Sequence, residues 1–366
     1  MAIHAADPVR PELRTLLPYV PGKPIEVLER ELGIRDAIKL ASNENPLGPS
    51  PLALEAIRDA MQGVNRYPEG SSHFLREALA AHWNTPAEWI VVGSGSNDLI
   101  DILCRIFLAP GDEAVMSDPC FLMFPIAVQV AGGTPVRVPA QDWFHDPDAM
   151  LAAITDRTKL VYFSNPDNPT GTRVRKRDLD RYFERVPGHV LTVLDEAYFE
   201  YVTDPEYPDG LQYLRAGKNV AVLRTFSKVY ALAGLRVGYG FFHPEVASWV
   251  HRVRLPFNVT SLGQAAARAS LADREQVEKS RALNDAGLAF LQRELPPLGL
   301  RLTPTWANFV YVRFPRPAAE AARALERLGV IIRPLGAFRV PPEYARISVG
   351  TREENERLLE TLRQVL

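Results

Sequence analysis

The sequence predicts an α/β protein: a large unit built on a mostly parallel sheet flanked by helices, followed by a smaller α+β unit. Three observations carry this expectation. Apolar runs of strand length recur at 89–92, 113–116, 134–138, 159–163, 190–194 and 220–223, and strand, loop and helical pattern alternate through about residue 245, the signature of βαβ units. After about residue 256 the rhythm changes to long helical stretches and short strands. Residues able to do chemistry cluster just beyond the ends of the apolar runs, where open α/β sheets bind ligands.

Composition narrows the possibilities. A chain of 366 residues with 46% hydrophobic content can bury more than one typical core. The expected division is a proline-rich arm over 1–45, a large domain over 46–255 and a small domain over 256–366. A net charge of −2 provides no basic field for nucleic acid and no polybasic membrane patch, so a small-molecule partner is expected. Cys104 and Cys120 lack CxxC spacing and sit among apolar residues, as reduced cysteines of a cytoplasmic protein do. The first residues lack a basic stretch followed by an apolar one, so no signal peptide is expected. The uncharged stretch 119–136 is long enough for a membrane span, but Pro125, Gln129, Gly132, Gly133 and Pro135 break it into a helix, a turn and a strand. Seven histidines are scattered without metal-ligand spacing, and no metal is expected. No Ser/His/Asp or Cys/His set is legible, and Arg173-Val174-Arg175-Lys176-Arg177 reads as a solvated helix start.

In chain order, the arm carries a short helical stretch at 25–32 and cannot form a core alone. Helices at 52–61 and 72–82 flank Asn65-Arg66-Tyr67-Pro68, where Tyr67 on its own reads as a half-buried tyrosine with a local partner. After the strand at 89–92 come Gly93-Ser94-Gly95-Ser96-Asn97-Asp98 and an amphipathic helix at 99–108. Backbone N–H groups at such a helix start can face an anion, or simply be capped. A dinucleotide fingerprint would need glycine where Asp98 stands. The strand at 113–116 ends in Ser117-Asp118-Pro119-Cys120-Phe121, and Phe121 is either core or a flat partner for an aromatic ligand. The strand at 159–163 leads to the proline-fixed loop Ser164-Asn165-Pro166-Asp167-Asn168-Pro169-Thr170-Gly171. The strand at 190–194 ends in Asp195-Glu196-Ala197-Tyr198, an acid that alone could be only a cap.

The run at 220–223 delivers Ser227 and Lys228 to a strand end. Apolar surroundings lower an ammonium's pKa and free its lone pair to attack an aldehyde. Ser227 and Arg236 offer a hydroxyl and a guanidinium suited to a phosphate. An aldehyde carrying a phosphate is pyridoxal 5'-phosphate (PLP); a turn lysine beside a surface ion pair is the plainer alternative. His243-Pro244 starts a helix that Pro256 ends, and one helical stretch is expected over 263–295. Strands at 300–303, 309–313, 330–332 and 345–349, with helices at 318–328 and 353–366, complete the small unit. Arg333 and Arg346 lie at its strands.

The run from Thr225 to Gly240, Ser-Lys-x5-Gly-Leu-Arg-x-Gly-Tyr at its heart, resembles the lysine segment of fold-type I, aspartate-aminotransferase-like PLP enzymes. That resemblance implies a seven-stranded, mostly parallel sheet in the large domain. It further implies that Lys228 carries the cofactor covalently, that Ser227, Arg236, Ser96 and Asn97 hold its phosphate, and that Phe121 stacks on its ring. Asn168 and Tyr198 would meet the ring oxygen O3', and Asp195 would keep the ring nitrogen protonated. Tyr67 would reach the partner subunit's phosphate in a homodimer with shared active sites. Leu17-Pro18-Tyr19-Val20-Pro21-Gly22-Lys23-Pro24 and Ser42-Asn43-Glu44-Asn45-Pro46-Leu47-Gly48 are similar to the histidinol-phosphate aminotransferases within that group. This implies that Arg346 grips a substrate carboxylate and that Arg333 and Tyr19 meet a further anionic end. The implied activity is transamination between histidinol phosphate and 2-oxoglutarate, amino donor and 2-oxo acid using one site in turn. Cys120-Phe121 stand where the family commonly has threonine and tyrosine. Alternatives are an aromatic amino acid aminotransferase, a threonine-phosphate decarboxylase, and a non-catalytic PLP-binding regulator.

Overall fold

A computed structural model describes residues 9–366. The N-terminal segment forms one amphipathic helix, α1 (Ile25–Leu32), closed by Gly33 in the left-handed conformation that glycine adopts without a Cβ penalty. Strand β1 (Ile38–Lys39) follows. Helices α2 (Pro51–Ala60) and α3 (His73–Trp83) precede the sheet; Ser50 caps the first by accepting from Leu52 N–H.

The central sheet comprises β2 (Ile90–Gly93), β3 (Glu113–Asp118), β4 (Thr134–Pro139), β5 (Thr158–Ser164), β6 (Leu191–Asp195), β7 (Val220–Thr225) and β8 (Gly238–Phe241), in the order β2-β8-β7-β6-β5-β3-β4. Strands β3 to β7 pair in parallel, whereas β8 runs antiparallel to both its neighbours. Between them lie α4 (Ser96–Phe107), α5 (Met123–Ala131), α6 (Pro147–Ala152), α7 (Lys176–Arg185) and α8 (Leu211–Arg215). The inner strands are largely apolar on both faces because both are covered, whereas the edge strand β4 is mostly half-exposed. Ile90, Val92, Val161 and Val222 pack into one core, and Val91, Leu160, Val193 and Leu223 into the opposite one.

After β8 come α9 (Pro244–Val253), α10 (Ser261–Ser270) and α11 (Arg274–Glu294). The single helical stretch expected over 263–295 is thus two helices. Asp273 parts them: its carboxylate accepts from Gln276 N–H at 3.1 Å, capping α11, and also takes the Ser50 hydroxyl. Ala266, Ala267 and Leu271 of the α10 region belong to a core of the seven-stranded sheet, where α10 packs on α2.

The remainder forms β9 (Arg301–Thr303), β10 (Phe309–Arg313), α12 (Ala318–Arg327), β11 (Val330–Ile331), β12 (Arg333–Pro334), β13 (Tyr344–Ser348) and α13 (Arg352–Val365). Its four-stranded sheet, β12-β13-β10-β9, buries Val310, Val312 and Ile347 against Leu291, Leu325, Leu358 and Leu362. The strand expected over 330–332 is shortened to Val330–Ile331, and the strand after it, Arg333–Pro334, belongs to a second sheet. β11 pairs in parallel with β1, and β12 crosses to β13, with Arg333 directly opposite Arg346.

Candidate active site

The ends of the parallel strands β3, β5, β6 and β7 open into one cavity of about 380 Å³. Lys228, three residues past β7, is half-buried there, and its Nζ donates to Ser42 O at 3.3 Å and Asn43 O at 3.4 Å. Burial, then the Arg346 guanidinium, lowers its pKa to about 8, with Glu44 acting in opposition. At that value an appreciable fraction of the amine is unprotonated near neutrality, as a nucleophile requires.

Asp195 closes β6 and is buried; one carboxylate oxygen accepts from Ala197 N–H at 3.2 Å. Burial raises its pKa to about 7, while Lys228 pulls it down. A cation brought beside it would restore the carboxylate. Tyr198 is also buried, and its Oη accepts from Asn43 Nδ2 at 2.8 Å. Its pKa rises to about 12, chiefly through burial.

A second end of the cavity is built for an anion. Helix α4 begins at Ser96, directly after Gly95 at φ 83°, and this helix start lies at the cavity, whose lining includes Ser96, Asn97, Ser227 and Arg236. Two glycines make this possible. A methyl group on Gly95 would stand 2.7 Å from Arg236 Nη2, and one on Gly238 only 2.4 Å from Ser96 N. Asp98 turns the other way, accepting from Ser94 N–H at 2.8 Å and Asn258 Nδ2 at 2.9 Å, so it shapes the loop without opposing an anion.

Arg346 reaches the cavity from β13. It donates to Asn168 Oδ1 and, at 2.9 Å, to Ala41 O, leaving a buried Nε without a partner among the described residues. Arg333 is not a lining residue. It stands 5.7 Å from the Tyr19 ring centroid, donates to Val20 O at 2.6 Å, and lies behind Tyr19, which does line the cavity. Phe121 also lines the cavity, edge-on to Phe124 at 5.7 Å.

Tyr67 lies outside this cavity. It is 83% exposed and stacks on Phe257 at 4.7 Å, on the surface. Of the other residues singled out from the sequence, only Arg333 stays out of the lining. Ser42, Asn43, Glu44, Ser164, Thr225 and Phe338 line it without having been assigned roles. For Asn43 the available signal was an asparagine in a Ser-Asn-Glu-Asn-Pro loop, a residue type that tolerates φ 55°.

Taken together, the site pairs a nucleophilic amine with a buried carboxylate, an anion cradle and the guanidinium of Arg346. The sequence profile described as Aminotransferase class I and II matches residues 35–362. The chain belongs to this family. Within the aminotransferases, it is 48% identical to the histidinol-phosphate aminotransferase of Moorella thermoacetica, over 98% of this chain and 92% of that one. It is likewise 48% identical to histidinol-phosphate aminotransferase 2 of Pseudomonas aeruginosa, over 98% and 97% of the two chains. Among solved structures, the histidinol-phosphate aminotransferase from Sinorhizobium meliloti, in complex with pyridoxal-5'-phosphate, superposes with a TM-score of 0.89 at 32% identity, covering 100% of both chains. The aminotransferase fold therefore extends over the whole sheet and the C-terminal unit. No helix of the described residues is long and apolar enough to cross a membrane.

Proposed function

We propose that this aminotransferase uses PLP to transfer the amino group of histidinol phosphate to 2-oxoglutarate, giving imidazole-acetol phosphate and glutamate, in cytoplasmic histidine biosynthesis. One observation carries the reading: Lys228, with its pKa lowered to about 8, shares a cavity with the buried Asp195 and with a cradle held open by Gly95 and Gly238. An aldehyde, a cationic ring nitrogen and a phosphate are the three groups that such a set accommodates, and PLP carries all three.

When bound, the cofactor supplies an electrophilic carbon and a cationic ring that accepts the electron pair released at the substrate Cα. Lys228 would hold it through Nζ, and the amine, when free, would move the proton at the substrate Cα. Asp195 holds the ring nitrogen in its cationic form. Tyr198 and Asn168 are assigned to the ring oxygen, and Phe121 to the ring face. Ser96, Asn97, Ser227 and Arg236 hold the phosphate through N–H, hydroxyl and guanidinium donors. Arg346 takes the carboxylate of glutamate or 2-oxoglutarate, its planar guanidinium being suited to a bidentate grip. Arg333 with Tyr19 meets the phosphate end of the other substrate. Tyr67, exposed at the surface, is assigned to the partner subunit's cavity in a homodimer.

The test mixes PLP-loaded protein with histidinol phosphate, follows the cofactor absorbance, and then adds 2-oxoglutarate. Conversion by the first and reversal by the second are expected. No response to histidinol phosphate, with conversion by phenylalanine or tyrosine, would move the assignment to an aromatic aminotransferase. Release of CO2 from threonine phosphate would move it to a decarboxylase.

A further inference from the structure

The stretch between β1 and α2 lies alongside the small sheet and over the cavity at once. Leu40 N–H donates to Ile331 O at 2.8 Å, and Ser348 N–H to Leu40 O at 2.9 Å, so residues 40–43 are fixed beside the end of β13. Asn43 then takes φ 55°, a left-handed conformation that asparagine tolerates better than most residues. Each of its four polar groups is used. Its N–H donates to Ser348 Oγ at 2.8 Å, and its carbonyl accepts from Asn308 Nδ2 at 3.1 Å. Its Oδ1 accepts from the Ser348 hydroxyl at 3.0 Å, and its Nδ2 donates to Tyr198 Oη at 2.8 Å.

The orientation of the amide follows from that network. Ser348 Oγ already accepts from the backbone, so its proton is free for Oδ1, and the NH2 is left facing the phenol. A phenolic hydrogen lies in the ring plane at one of two positions. With Nδ2 directed at the oxygen from one side, the proton takes the other. Among the described residues, no other group hydrogen-bonds Tyr198 Oη, and Tyr198 lines the cavity.

We propose that Asn43, held by Ser348, is a positioning residue that aims the Tyr198 hydroxyl proton into the cavity, where it meets an acceptor on the bound cofactor. The role toward the cofactor rests on the reading of the site as a PLP site. By accepting from Asn43, the phenol also becomes a stronger donor in turn. The asparagine bond opposes the upward push of burial on the Tyr198 pKa, in the same sense. Because Ser348 stands two residues from Arg346 on β13, the strand that presents the carboxylate-binding guanidinium also holds the amide that orients the tyrosine.

Two variants separate this role from a structural one. Asn43→Gly keeps the left-handed backbone and its hydrogen bonds while deleting the amide. Asn43→Asp keeps the acceptor for Ser348 but presents an oxygen to Tyr198, so the phenolic proton turns toward residue 43 and away from the cavity. A donor aimed at an anionic ring oxygen lowers the pH at which the cofactor's absorbance titrates. In Asn43→Gly that midpoint should rise by roughly 0.4–1 pH unit, the worth of one hydrogen bond, and in Asn43→Asp it should rise further. In a Tyr198→Phe background Asn43→Gly should add no shift, and Asn43→Asp should keep only the smaller part that its added charge exerts directly on the nearby Lys228 nitrogen. An unchanged midpoint, or equal shifts in the phenylalanine background, overturns the proposal. A double-mutant cycle of Asn43→Gly with Tyr198→Phe, read by urea denaturation of the cofactor-free protein, tests the hydrogen bond without PLP. Coupling between the two changes is expected, and strict additivity overturns it. Wild-type protein that takes up no PLP would sink the PLP reading, while the cycle would still decide the relay.

Discussion

Gly95→Ala is a change of one methyl group that should act mainly on phosphate binding. The ideal Cβ at this position lies 2.7 Å from Arg236 Nη2, closer than two such atoms can stand. The neighbour is the far end of a flexible side chain, so the guanidinium gives way and the fold survives. Gly95 also sits at φ 83°, where a Cβ costs about 1–2 kcal/mol. For a chain of this size that lowers Tm by only ~1–3 °C. On the proposed assignment a displaced Arg236 would lose one charge-assisted hydrogen bond to the phosphate, worth about 1.5–3 kcal/mol, or roughly a 10- to 150-fold weaker Kd. The assay titrates cofactor-free protein with pyridoxamine 5'-phosphate, which lacks the aldehyde and so excludes any covalent contribution from Lys228. Arg236→Ala should weaken binding comparably, and the double variant little more than either single one, because both changes remove the same contact. Unaltered affinity in Gly95→Ala, or an equal loss for pyridoxamine without its phosphate, would refute the assignment of this cradle.

Three further outcomes follow from the same geometry. Lys228→Ala should bind PLP without becoming labelled, so that borohydride reduction followed by mass spectrometry finds the cofactor fixed to wild-type protein and not to the variant. In the cofactor-free protein, the Lys228 pKa lowered to about 8 means that the unfolded chain holds its proton more tightly than the folded one from about pH 8 to the ordinary lysine value of 10.5. Its contribution to stability is therefore unfavourable below pH 8 and is relieved as pH rises through that window. Urea denaturation should show this rise in wild-type protein and its loss in Lys228→Met. Arg346→Lys should raise KM for glutamate and 2-oxoglutarate about 10- to 100-fold, because an ammonium replaces a planar fork at a bidentate site; steady-state kinetics with kcat affected less than KM is the expected pattern.

Much of the architecture was legible because burial on both faces leaves an uninterrupted apolar trace: the run at 190–194 became β6 and that at 220–223 became β7. Where other forces govern, the trace fails. β8 contains Gly238 and Gly240, which carry no apolar signal. They are required because a methyl group at either would approach other atoms to 2.4 Å. β7 extends past its apolar run to Arg224, whose guanidinium is fully buried, 4.1 Å from the Trp83 ring and 3.5 Å from the Phe199 ring. It donates to Glu196 at 2.9 and 2.7 Å and to Asp209 at 2.7 Å. A pairing that spans three segments cannot be read from any one of them. The same holds for the site. Lys228, Asp195 and Arg236 announce themselves by residue type at strand ends, whereas Asn43 gains its place from Ser348, 305 residues away.

The chemistry of the site is carried by burial as much as by residue identity. Desolvation pushes Asp195 up to about 7 and Lys228 down to about 8, each toward its uncharged form, and their mutual attraction only partly resists this. A carboxylic acid and an amine so poised are both strained in the charged state, which destabilises the cofactor-free protein near neutral pH. A ligand with a cationic ring nitrogen supplies Asp195 with its missing partner, and an aldehyde converts the unprotonated amine into a bond. On the proposed assignment, binding of such a ligand would relieve two desolvated groups at once. A separate polar network, around Glu196 and Arg224, joins the same two strands. Glu196 N–H donates to Leu223 O at 2.8 Å, and the Arg224–Glu196 ion pair ties the end of β7 to the residue after β6. The segments bearing Lys228 and Asp195 are thus held together by contacts in which neither side chain takes part.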